Sequence, residues 1–200
     1  MDWAAIITAI GTIILGYFTY NQYTKNKKTD WELKKLQDED NRKHHKRNDN
    51  IMLVYGELWN LLYELKADRV YIVQPHPLGH EEMITIYFEV KRRGVEPMRP
   101  HVNHLKISEV AKFASDLVKN LFLFITDIDT QVKDRYAQAI LSSLGCQHAI
   151  IKRLNDNRHD WVGSIFCEFT DEMTLDEKHS RELLHDAATK IQYILPEFKD

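Results

Sequence analysis

Apolar and polar positions divide the chain into three stretches. From Trp3 to Tyr20 no side chain is ionised, and apolar residues surround a helix on every face. Eighteen helical residues at about 1.5 Å each span about 27 Å, enough to cross a hydrocarbon core. Trp3 marks one edge and Tyr17, Tyr20 and Tyr23 the other, the aromatic belt expected where rings meet headgroups. Asn21 to Asn48 then reads as polar, charged and free of Pro and Gly, with Trp31, Leu33 and Leu36 too sparse for a heptad seam. This is a solvated helix or stalk that can run on into the third stretch, which begins near Ile51.

In that third stretch the period shifts between helix and strand. Ile51, Val54, Leu58, Leu61, Leu62 and Leu65 fit one helical face. Arg69–Gln74 reads as a short strand ended by the turn Pro75-His-Pro-Leu-Gly79, and Ile84–Val90 as its hairpin partner. A loop over 92–100 leads to a helix opened by Ser108 and reaching about Lys119. Leu121–Ile125 fits a buried strand or a continuation of that helix. Asp129–Leu144 reads as one helix stopped by Gly145. Cys146–Leu154 and Trp161–Phe169 form a second hairpin around the turn at 155–160. Thr174-Leu-Asp-Glu177 has the spacing of a capping box and starts a last amphipathic helix through Leu195.

The expected fold class is therefore α+β, an antiparallel sheet packed by helices. The expected organisation is a transmembrane anchor at 1–22, a charged juxtamembrane stalk at 23–49 and a folded domain at 50–200. The order of a leading helix, the Arg69–Gln74 hairpin, a variable middle, the Gln147–Leu154 and Trp161–Glu168 strands and a closing helix resembles a GAF domain, the small regulatory sensor fold. Val162-Gly-Ser-Ile-Phe-Cys-Glu-Phe169 resembles that family's penultimate strand. The resemblance implies a GAF/PAS-like sensor. It does not extend to the Asn-Lys-x-x-x-Asp-Glu signature of cyclic-nucleotide-binding members, nor to a cysteine placed for a bilin.

Charge orients the anchor. Lys25, Lys27, Lys28, Lys34 and Lys35 follow the apolar run and only Asp2 precedes it. The positive-inside rule then places the N-terminus outside and the domain in the cytoplasm, at a cell (inner or plasma) membrane. Asp2 and the Tyr-Phe-Thr-Tyr end also lack the basic start and small-residue cleavage site of a signal peptide. Lys25, Lys27 and Lys28 are the expected contacts with anionic lipid. Ala4, Thr8, Thr12 and Gly16 form a small-residue stripe on which two such helices can pack, making a homo-oligomer the expected state.

Composition narrows the chemistry. A net charge of −3 argues against a nucleic-acid partner for the whole chain. Cys146 and Cys167 fit buried free thiols, or a disulfide if their strands are neighbours. His44-His45, His76/His80, His101/His104 and His179/His185 lack zinc-site spacing, and Asp127-x-Asp129 fits a helix cap better than a calcium loop. No metal and no cofactor is expected. The absence of GxGxxG, Walker, GxSxG and HExxH patterns argues against an enzyme, and no catalytic residue is assigned. Tyr71, Tyr87 and Glu89 are the candidate ligand-binding residues, Tyr87 and Glu89 being two apart and so on one strand face. Ordinary outward-facing strand polarity accounts for them equally. Three functions follow: a membrane-anchored sensor that acts through ligand or protein binding and self-association, a holin-like lysis or defence effector whose transmembrane helix oligomerises, and a structural tether that recruits a protein partner to the lipid bilayer.

Overall fold

A computed structural model describes residues 3–171, 173 and 176–195; for residues 3–20, 23, 24, 26, 28–30, 32, 44 and 45 it describes the backbone alone. The chain divides into two units, Met1–Asp49 and Asn50–Asp200. The first unit is helical, as the leading part of α1 (Trp3–Glu64). Its described side chains are exposed and mostly polar, Trp31, Leu33 and Leu36 among them. The side chains of Ala4, Thr8, Thr12, Gly16 and Lys28 lie outside the described residues, while Lys25 and Lys27 are exposed. Among the described residues no helix is long and apolar enough to cross a membrane. The transmembrane anchor expected at 1–22 gains no support from the described residues, because the side chains of 3–20 lie outside them.

The second unit is built on one six-stranded antiparallel sheet in the order β3-β2-β1-β6-β5-β4. Its strands are β1 (Arg69–Leu78), β2 (Glu81–Lys91), β3 (Leu105–Lys106), β4 (Phe122–Ile125), β5 (His148–Asn155) and β6 (Trp161–Phe169). The helices are α2 (Ala111–Lys119), α3 (Ile128–Gln131), α4 (Arg135–Ser143) and α5 (Glu177–Ile191). Two hydrophobic cores share the sheet as a wall. On one face Val70, Ile72, Ile165 and Cys167 pack with Val54, Leu58 and Leu62 of α1 and with Leu184 and Ile191 of α5. On the other, Tyr71, Val73, Ile151 and Phe166 pack with Phe113 and Leu117 of α2 and Leu141 of α4. Alternation along β1 and β6 produces this split, because successive residues face opposite sides.

Several expected boundaries shift. β1 does not stop at Gln74 but continues through Pro75 and Pro77 to Leu78, and the turn is Gly79-His80, with Gly79 at φ 65°. β6 pairs with β1 only as far as Val73. Beyond it, among the described residues, β1 pairs with β2 alone, and prolines two residues apart turn their missing N–H groups to the same side. The helix expected over Asp129–Leu144 is two helices, α3 and α4. Asp134 breaks it by capping α4, accepting from the amides of Tyr136 at 3.1 Å and Ala137 at 3.2 Å. The same carboxylate accepts from Lys112 and Phe113 at the start of α2. Asp127 caps α3 through the Asp129 amide, and Gly145 adopts φ 76° after α4, both as read from sequence. Thr174 lies outside the described residues; the cap of α5 is Asp176, which accepts from the His179 amide.

Candidate functional site

Arg69 and Glu168 are charged side chains inside two otherwise apolar strands, and the sheet register sets them opposite each other. Both are fully buried. Arg69 donates Nε–H to Glu168 Oε2 at 2.7 Å, and its Nη2 forms a second bond to the same oxygen. Its Nη1 donates to the Glu96 carbonyl at 2.6 Å. The other carboxylate oxygen accepts from the Tyr71 hydroxyl. Each partner answers a desolvation cost that none could bear alone.

Electrostatics follow from that burial. Burial, then the neighbouring Glu168 charge, pushes the Tyr71 phenol well above its ordinary value of 10.0, so it stays a donor at neutral pH. Burial raises the Glu168 carboxyl, against the pull of Arg69 and of its hydrogen bonds. Burial also works against the Arg69 charge, but Glu168 and Tyr71 outweigh it and hold the guanidinium above its usual range.

The Tyr71 ring stacks on Phe166, with centroids 5.0 Å apart and planes 10° apart. The two rings form the floor of a cavity of about 40 Å³ between the sheet and the α2–α4 layer. Phe113 and Leu117 of α2, Ala137 and Leu141 of α4, and Met98 help to line the rest. Met98 arrives on the segment 92–104. Glu89 holds that segment from below, accepting from the Met98 amide at 2.6 Å and the Arg99 amide at 3.1 Å. Lys91 donates to the Val95 carbonyl at 2.6 Å.

The three candidates from the sequence therefore separate. Tyr71 lines the cavity, and Glu89 anchors a loop beside it. Tyr87 does not share a face with Glu89: the register slips between Ile72 and Val73, so that Ile72 faces Phe88 and Val73 faces Ile86. Tyr87 is the extra residue of this bulge and packs toward the α1–α5 core. Arg69, Glu168 and Met98 escaped the sequence reading. A charge at the start of one strand and within another was the available signal for the first two; Met98 in a loop gave none.

The cysteines lie on opposite faces of the sheet, Cys146 in one core and Cys167 in the other, both as free thiols. Burial raises both thiols above their ordinary range. A polar groove of about 580 Å³ runs along Thr126, Asp127, Asp129, Ser142 and His148. Its carboxylates are occupied by the α3 cap and by Ser142 and Gln138. Among the described residues no group of three or more His, Cys, Asp or Glu could hold a metal ion.

No family model matches the sequence, and comparison with curated proteins finds no match. Solved structures do resemble the fold. A far-red cyanobacteriochrome photoreceptor superposes with a TM-score of 0.59 at 12% identity, covering 77% of this chain and 90% of that one. The blue-light-absorbing form of the PixJ GAF domain of Thermosynechococcus elongatus gives 0.57 at 13%, covering 73% and 84%. A phycocyanobilin-bound GAF domain from a cyanobacterial phytochrome gives 0.57 at 16%, covering 72% and 82%. The fold of this chain is GAF-like, an α+β sheet-and-helix architecture.

Proposed function

We propose that the chain is a sensory or regulatory module that acts by binding rather than by catalysis and is held at a membrane. The observation that carries the reading is the cavity between the sheet and the α2–α4 layer, floored by Tyr71 and Phe166. Its nearest polar groups, Tyr71, Glu168 and Arg69, are bonded to one another. That arrangement suits a fixed wall for a ligand better than an acid, base or nucleophile presented to a substrate. A bilin, which one of the structural neighbours holds, is not the ligand proposed: about 40 Å³ is far below the ~300–1,000 Å³ of ordinary ligand pockets, and no cysteine lines the cavity.

Membrane attachment rests on the uncharged run Trp3–Tyr20 and the lysines after it, and self-association on Ala4, Thr8, Thr12 and Gly16. Native mass spectrometry of the full chain released from membranes tests the whole reading. The expected result is an oligomer carrying a small molecule or stabilised by one. A water-soluble monomer indifferent to every compound in a metabolite panel would overturn it, and turnover of a bound compound would overturn its non-catalytic part.

A further inference from the structure

Among the side chains that line the cavity, Tyr71 alone carries a hydroxyl, and that hydroxyl is committed to Glu168. The remaining wall is hydrocarbon, ring and the Met98 thioether. A ligand with a charge or a hydroxyl would leave water and meet no partner. Resting on the sensory reading above, we propose that the cavity receives a small, uncharged apolar molecule and that Met98 is the wall that yields to it.

The volumes make the second half necessary. One water needs about 10–15 Å³ of such space, and a cavity of ~150 Å³ lined by apolar side chains holds benzene. At about 40 Å³ the site accepts only a few heavy atoms while Met98 stays in place. Met98 is fully buried and unbranched, with three rotatable bonds, so it can reshape where Phe113 or Leu141 cannot. It is also carried on the one lining segment, 92–104, that joins β2 to β3 outside any helix or strand. Polar hooks hold that segment: Glu89 to the Met98 and Arg99 amides, Arg69 to the Glu96 carbonyl and Lys91 to the Val95 carbonyl. All three hook side chains rise from the strand face that forms the floor. Displacement of Met98 is thereby felt directly at Glu89 and Arg69.

The test compares fluorobenzene with 4-fluorophenol on the full chain by fluorine NMR, with hydrogen exchange read at the Met98 and Arg99 amides. Fluorobenzene should bind at least tenfold more tightly than 4-fluorophenol and change exchange at those two amides. Met98→Ala should tighten fluorobenzene severalfold, and Ala137→Leu, which fills the cavity, should abolish binding. If Ala137→Leu does not fold, Ala114→Val supplies the same block. Equal or tighter binding of 4-fluorophenol, or binding that Ala137→Leu leaves intact, overturns the apolar assignment. If a polar metabolite stabilises the chain while fluorobenzene does not, the apolar class falls and the sensory reading stands. If neither stabilises wild type or Met98→Ala, both fall.

Discussion

Tyr71 joins the cavity to the buried ion pair, and its ring and hydroxyl can be tested apart. Tyr71→Phe keeps the stack on Phe166 but removes one donor from Glu168, a loss of about 1–3 kcal/mol in urea unfolding. The same variant carries a pH signature. The folded phenol titrates above its ordinary value of 10.0, so the native state keeps a proton that the unfolded chain releases. Wild-type stability should therefore fall as pH rises past 10, and the fall should be shallower in Tyr71→Phe. Equal slopes for the two proteins would show that Tyr71 does not titrate differently on folding. Glu168→Gln breaks the pair itself and leaves Arg69 buried without its counter-charge, costing about 3–5 kcal/mol in the same measurement. At this scale the sequence exposed two odd charges but not their union. Arg69 and Glu168 are 99 positions apart, and only the β1–β6 pairing makes them neighbours.

Among the elements, the long periodic ones were legible and the locally governed ones were not. The α1 stripe, the two hairpins and the closing helix follow from patterns that burial enforces. The bulge at Tyr87, the strand running through two prolines and the break before α4 depend instead on what lies alongside. Gly163 is another case. A Cβ there would sit 2.8 Å from the Val73 carbonyl oxygen, where β1 and β6 part company. Gly163→Ala must push the two backbones apart, at a cost of about 1–3 kcal/mol by thermal or urea unfolding. A neutral result would mean that β1 beyond Val73 gives way freely. Asp134 serves two helix starts at once, so Asp134→Ala should cost at least the ~0.5–2 kcal/mol of an ordinary cap. The loss of helical signal should extend to both α2 and α4.

On the scale of the whole molecule, the sheet belongs to two cores, and this bears on how the second unit comes apart. Cys167 lies fully buried against the α1–α5 side and Cys146 is buried on the α2–α4 side. Burial raises both thiols, so neither supplies the reactive thiolate while folded. Iodoacetamide should leave both unmodified in the native protein and alkylate both in denaturant. The informative regime lies between, at denaturant concentrations just below the unfolding midpoint. The α2–α4 side is assembled from short helices and the hooked segment 92–104, whereas α1 and α5 are long and tied by Lys190–Glu57 at 3.0 Å. Local opening draws on regions with the fewest cooperative contacts, so Cys146 should be alkylated faster than Cys167, as read from the two peptides by mass spectrometry. Equal rates would mean that the shared sheet makes the two cores a single cooperative unit. A faster Cys167 would place the weak layer on the α1–α5 side and remove the physical basis for a yielding wall at Met98.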